Sequence, residues 1–336
     1  MPLREQVDVR PVASSCAELL AGSTSRTPMS AADGKSNVPM ERVVIDGASY
    51  VVKQLSPSLD WISRATGDYV ARVLTCWRTG ILDRLPDCID HTIEAVAYDT
   101  ESNTTILLMR DVAETLVPEG DDRVPVEQHR RFIDHMAALH ACFWDEAGIM
   151  PELTPMSVRY TALSELTTET EAALGSGAMV PSLLPAGWRA LEDVAPEAAR
   201  VARALHADPH PLIAALDATP KTLIHGDWKM GNLGSHADGR TVLLDWQWPG
   251  VAAPCIDIMW YVAINAARLP ESREDTIAAY RDALSRHGIA ADDWFDQQLP
   301  LATLGAFVQL GWNKAGEPDE LAWWVPRALR AAEQLG

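Results

Sequence analysis

His225-Gly226-Asp227 closes a short apolar strand, and Asn232 follows Asp227 by five positions. A polar turn (SHADGR) and a second apolar strand (TVLLD) then lead to Asp245, thirteen positions beyond Asn232. Phosphoryl transfer calls for such a set. One carboxylate must orient the attacking hydroxyl and accept its proton, while an amide oxygen and a second carboxylate hold Mg²⁺ against the nucleotide phosphates. Asp227 suits the first role, and Asn232 and Asp245 suit the second. The spacing D-x-x-x-x-N, followed by an Asp ending the next strand, matches the kinase order of catalytic loop and metal-binding Asp. Lys229, two residues after Asp227, is placed to turn its ammonium toward the transferring group and stabilise developing charge. Any one of these residues alone reads equally well as a turn residue with a locally satisfied side chain. Together they point to a site.

Such residues need a rigid frame. MERVVIDGASYVVKQL reads as two strands rich in Val, Ile and Tyr, joined at Asp46-Gly47, a strong hairpin signal. Val70, Val73, Leu74, Trp77 and Ile81, at spacings of three and four, predict a helix around Asp68–Leu85. HTIEAVAYD and TTILLMRDV form a second strand pair about an ESN turn, while residues 1–30 carry little periodicity beyond a short helical stretch near SSCAELLAGSTS. After residue 112 the character changes. VEQHRRFIDHMAALHACFWD is an amphipathic helix, and 159–175, 186–207, 256–268, 271–287 and 318–334 also have helical patterns. The short strands KTLIHGD and TVLLDWQ interrupt them. The expected fold is α+β and two-lobed: a small sheet-rich lobe over 1–112 and a larger helical lobe over 113–336, with a nucleotide cleft between.

Segment 223–257 resembles the signature of the aminoglycoside phosphotransferase and choline kinase superfamily, H-G-D-x-x-x-x-N before a strand ending in I-D-W. The matching letters are His225, Gly226, Asp227 and Asn232, then Leu244, Asp245 and Trp246. The resemblance implies a protein-kinase-like fold and an ATP- and Mg²⁺-dependent transfer to the hydroxyl of a small molecule. It makes Asp257, within CIDIMWYVA, a brace for the catalytic loop alongside His225. It makes Lys53, ending YVVK, the lysine that contacts the α and β phosphates. The family pairs that lysine with a helix Glu; here the best-placed acid is Asp68. The loop covering the phosphates falls at DGKSN, where Gly34 gives backbone freedom and Ser36 and Asn37 offer donors. ILLMRDV resembles the hinge that meets the adenine ring, with Arg110-Asp111 where relatives often carry two acids. His140 matches a histidine of the family's first large helix and reads as a core residue.

Composition narrows the partners. A formal charge of −19 with no basic cluster argues against nucleic acid and against an anionic membrane surface. No run approaches a membrane-spanning length, and MPLREQVDVR lacks the form of a signal peptide. Five scattered cysteines, none in a CxxC pair, suggest a reducing cytoplasm. Nothing speaks to oligomeric state. Eight of the twelve tryptophans lie at or after Trp228, as core packing or as rings for a cationic amine. Two other readings stand beside the small-molecule kinase. A serine/threonine-type protein kinase is opposed by Gly226 in place of the usual Arg and by the eleven residues between Asp245 and Asp257. A nucleotide-binding pseudokinase is opposed by the presence of Lys53, Asp227, Asn232 and Asp245 together.

Overall fold

The computed structural model describes residues 10–29, 38–144, 146, 148, 150–151 and 153–335. The first lobe is built on an antiparallel sheet. Helix α1 (Cys16–Leu19) leads to β1 (Ser23–Met29), then β2 (Met40–Ile45) and β3 (Ala48–Leu55). Asp46 and Gly47 join β2 to β3 with φ of 50° and 80°, the left-handed pair that a tight type I′ hairpin requires. Helices α2 (Trp61–Ala65) and α3 (Arg72–Arg78) follow, then β4 (Ile89–Asp90), β5 (Ile93–Asp99) and β6 (Thr104–Arg110). The sheet order is β1-β2-β3-β6-β5.

Strand β3 therefore lies at the centre. Val52 joins Val43, Ile106 and Leu108 in a small cluster on one face, packed against Leu20 just beyond α1. Leu55 enters the main core on the other face. The period-two alternation of a strand puts Lys53 on that inner face with Leu55. The two expected hairpins are present. Strand β1 was not expected; five of its seven residues are exposed, so it shows no apolar alternation. The helix expected over 68–85 is shorter, because Val70 stays outside α3 and is exposed. The proposed phosphate-covering residues Gly34, Ser36 and Asn37 lie outside the described residues.

The second lobe contains α4 (Val126–Cys142), α5 (Met156–Thr161), α6 (Glu165–Leu174), α7 (Met179–Val194), α8 (Pro196–Ala207) and α9 (His210–Asp217). Strands β7 (Thr222–Ile224), β8 (Leu233–Ser235), β9 (Thr241–Leu243) and β10 (Gly250–Ala252) come next. Four more helices complete it: α10 (Cys255–Ile264), α11 (Arg273–Arg286), α12 (Asp293–Leu310) and α13 (Pro318–Ala332). Helix α12, over a stretch given no helical pattern from the sequence, carries Asp293 and Asp296 in its first turn.

The short strands frame the site. β7 pairs antiparallel with β10, Ile224 opposite Gly250, and β8 pairs with β9, Leu233 opposite Leu243. β4 pairs in parallel with β9 and so ties the first lobe to the second. No described helix is long and apolar enough to cross a membrane.

His129 on α4 ties three helices together. It is fully buried and bonds the Tyr261 hydroxyl of α10 at 2.9 Å and the Thr276 hydroxyl of α11 at 3.2 Å. Burial lowers its pKa to about 4, against the opposing pull of Glu271. An unfolded imidazole titrates near ~6.5, so its contribution is intact above that pH and is lost as pH falls toward the folded value, by roughly 3 kcal/mol in total. Unfolding free energy should therefore decline between about pH 6.5 and 4, and more shallowly in His129→Gln. Identical pH slopes in urea titrations of the two proteins would contradict this.

Candidate active site

The loop joining β7 to β8 carries Asp227, and the turn after β9 carries Asp245. Asp227 is almost enclosed, at 8% exposure. Trp260 Nε1–H donates to its Oδ1 at 2.9 Å. Lys229 Nζ donates to its Oδ2 at 2.7 Å, and Asn232 Nδ2 donates to the same oxygen at 2.9 Å. Asn232 Nδ2 also reaches the Asp227 carbonyl at 2.9 Å. The Asn232 amide nitrogen is thus turned toward Asp227, which leaves its oxygen for another partner.

Asp245 adopts φ of 64°, an unusual backbone for a non-glycine residue that re-aims its side chain out of the strand direction. Its Oδ1 accepts from Lys53 Nζ at 2.8 Å, a contact between residues 192 positions apart that crosses the cleft between lobes. Burial works against ionisation of Asp245, but the Lys53 and Lys229 ammonium groups hold its carboxyl below the usual value. Asp227, Lys229, Asn232, Asp245 and Lys53 are therefore brought together.

Asp257 lies in the first turn of α10, buried. Its two oxygens accept the backbone N–H groups of Gly226 and His225, each at 2.8 Å. His140 Nε2 meets the same carboxylate at 3.2 Å, and its Nδ1 meets the Tyr280 hydroxyl at 2.6 Å. Burial alone would raise the Asp257 carboxyl, yet the His140 hydrogen bond and the Arg159 charge hold it below the ordinary range. His225 accepts the Asp227 N–H on Nδ1 at 3.2 Å and faces the Leu244 carbonyl through Nε2 at 3.0 Å. That pattern needs the neutral ring, which burial favours by depressing its pKa.

Gly226 has no substitute at its position. Its φ is +82°, and an added Cβ would meet the Trp248 carbonyl oxygen at 2.0 Å.

Asp68 is a correction. It does not orient Lys53; its carboxylate caps α3, accepting the Arg72 N–H at 2.9 Å with the guanidinium at 3.7 Å. Lys53 instead reaches Gln247 Oε1 at 3.0 Å, and Gln247 Nε2 donates to Asp60 Oδ2 at 2.9 Å. Burial raises the Asp60 carboxyl; the Ser63 hydroxyl and the Ile62 N–H oppose that most, followed by the Lys53 charge. At the end of β6, Arg110 pairs with Asp90 and Glu94, and Asp111 accepts from Arg42 at 2.7 Å and Ser49 at 2.9 Å.

Several residues of the site escaped the sequence. Trp260 stands three after Asp257 on α10, a spacing that shares a helix face and was a usable signal. Asn265, just past α10, accepts the Met230 N–H at 2.9 Å and steadies the loop from below. Arg159 of α5 had no signal. Its buried guanidinium donates to the Gly226 carbonyl at 2.5 Å and lies over the rings of Trp248 and Trp260, at 5.5 and 5.4 Å. The tryptophan rings near the C terminus also carry the chain's own cations: Trp323 under Arg327 and Arg273, Trp324 near Lys314. Those faces are occupied, which favours packing over an amine cage.

The donor set suits Mg²⁺. Asn232 and Asp245 offer hard amide and carboxylate oxygens. A second carboxylate, Asp227, is paired with Lys229 as Asp245 is with Lys53.

A model of the phosphotransferase enzyme family matches residues 42–291. Among curated proteins there is no match. Among solved structures, the choline kinase LicA from Streptococcus pneumoniae aligns with a TM-score of 0.50 at 13% identity, covering 95% of each chain. A thermostable mutant of aminoglycoside phosphotransferase APH(4)-Ia, in ternary complex with ADP and hygromycin B, aligns with a TM-score of 0.50 at 12% identity, covering 94% of this chain and 96% of that one. LicA in complex with AMP aligns with a TM-score of 0.51 at 13% identity, covering 95% of each chain. At such identities the likeness is one of fold: a small sheet-rich lobe over a larger helical lobe, as in protein kinases.

Proposed function

This chain belongs to the phosphotransferase enzyme family, and from that premise we propose that it is an ATP- and Mg²⁺-dependent kinase acting on a hydroxyl of a small molecule. The acceptor is an aminoglycoside, an amino sugar, an amino alcohol or a similar metabolite. The observation that carries the reading is the convergence of Lys53, from the sheet lobe, on Asp245 at 2.8 Å, beside Asp227. The nucleotide lies between a lobe of residues 1–112 and one of 113–336, with Lys53 on its α and β phosphates.

Asn232 and Asp245 would hold Mg²⁺, which would supply positive charge against the phosphates there. Asp227 orients the acceptor hydroxyl and takes its proton. A carboxylate has about four lone-pair sites, and three donors from Trp260, Lys229 and Asn232 leave room for the hydroxyl. Lys229, already within 2.7 Å of Asp227, compensates the charge of the transferring group. Asp257 and His225 keep the loop in register. Only eleven residues separate Asp245 from Asp257, taken up by the three-residue strand β10 and the start of α10, too little chain for a peptide-docking platform, which favours a small acceptor over a protein.

Asp245→Ala tests the metal role. ATP affinity measured by calorimetry should lose most of its Mg²⁺ dependence in this variant. An unchanged Mg²⁺ requirement would contradict the assignment.

A further inference from the structure

Protein kinases orient the β3 lysine with a glutamate from the helix that follows. Here α3 offers no such partner, and Asp68 is engaged with Arg72. Lys53 is nonetheless firmly held. It is 8% exposed, and besides Asp245 it meets the Gln247 amide oxygen at 3.0 Å. Gln247 is 3% exposed, and its amide nitrogen passes to Asp60 at 2.9 Å. Asp60 is wholly buried at the N-cap of α2, where it also accepts the Ile62 N–H at 3.0 Å, the Ser63 N–H at 3.1 Å and the Ser63 hydroxyl at 2.8 Å.

We infer that Asp60 and Gln247 together replace the missing helix glutamate, with the amide of Gln247 linking the Asp60 carboxylate to the Lys53 ammonium and so positioning Lys53 for the nucleotide.

The residue types fit this role and little else. An amide is an acceptor at one end and a donor at the other, so it can join an ammonium to a carboxylate without adding charge. A glutamate at 247 would set its carboxylate against Asp60, with Asp245 on the same lysine, three acids sharing one cation. The carboxylate is also anchored to the helical lobe. Four residues past Asp60 on α2, Arg64 grips Glu171 of α6 in two bonds of 2.8 and 2.6 Å, and Glu171 is buried. Arg64 also donates to the Pro57 carbonyl at 2.6 Å, which closes the turn before α2. The group that orients Lys53 is thus set from both sides of the cleft. Asp60 and Gln247 are positioning residues, and the inference rests on Lys53 being the nucleotide lysine.

The test is Mg·ATP affinity of the purified full chain by calorimetry, with thermal midpoints alongside. Lys53→Met controls for the underlying reading and should weaken Mg·ATP binding by about tenfold or more. Gln247→Glu should weaken it by about tenfold as well, and Gln247→Met, which keeps the length and removes both polar ends, should do the same. Asp60→Asn keeps the half of the helix cap that the Ile62 N–H makes, with its NH₂ taking the side that faced Ser63 and Gln247, and the thermal midpoint reads what the lost Ser63 bond costs. Combined as Asp60→Asn/Gln247→Glu, the carboxylate moves to 247, pairs directly with Lys53 and accepts from the Asn amide. This double variant should recover affinity to within about threefold of the parent. A double variant no better than the sum of its single changes, or a Gln247→Met protein that binds Mg·ATP as the parent does, overturns the relay. Parent-like affinity in Lys53→Met would instead overturn the nucleotide-lysine reading.

Discussion

Asp227→Asn lowers turnover by about 10²–10⁴-fold, the range that general-base removal produces, while Mg·ATP affinity stays within about twofold. The geometry explains why so small a change is so costly. Asp227 is surrounded by donors: Trp260 on one oxygen, Lys229 and Asn232 on the other. A carboxylate accepts from all three. An amide can turn its oxygen toward only one side, and its NH₂ group then faces the remaining donors. The variant therefore loses the base and also the fixed orientation of the acceptor hydroxyl. ATP makes none of its proposed contacts with this side chain, so binding survives. Single-turnover rates and nucleotide affinities, measured on the same preparations, check both halves. Loss of ATP binding would remove Asp227 from the role of base.

Asp257→Ala is expected to destabilise the protein by about 3–5 kcal/mol, as breaking a buried charged network does. Alanine leaves the His225 and Gly226 N–H groups without acceptors in an enclosed place, and deprives His140 of its carboxylate. It also leaves the buried Arg159 guanidinium without the carboxylate that most offsets its desolvation. For a chain of this size the thermal midpoint should fall by about 4–7 °C. Activity should be lost even well below the new midpoint, because the loop that aims Asp227 has no other clasp on these two amides. A midpoint within about 2 °C of the parent would show that the brace contributes little.

What the sequence disclosed, and what it hid, follows from how each feature is encoded. The β2–β3 hairpin was legible because Asp46-Gly47 states its turn chemistry locally, and the turn has the positive φ angles that chemistry demands. The polar set from Asp227 to Asp245 was legible because apolar strands bound it at fixed spacing. Helix α12 was not, since its second half, from Leu301 to Leu310, is buried on every side and Pro300 interrupts it, so no face there alternates with solvent. Strand β1 is a polar edge, and polar edges look like loops.

The error at Asp68 has a different origin. Spacing along the chain favours the acid near the longer helix, whereas the contact that forms runs through Gln247, 187 positions from Asp60. A link of that kind exists only once the lobes have met. Arg159 is similar: its partner is a backbone carbonyl 67 positions away, and a backbone group carries no sequence signal. Trp260 lies between these cases, legible from its helix face once Asp257 is known.

The most direct measurement of the central claim is ADP release from the purified protein with Mg·ATP, across aminoglycosides, sugars, amino alcohols and a generic protein substrate. The account predicts release stimulated by a small hydroxyl acceptor, silent with the protein substrate and abolished in Asp227→Asn. Stimulation by the protein substrate alone, or release that Asp227→Asn leaves intact, would contradict it.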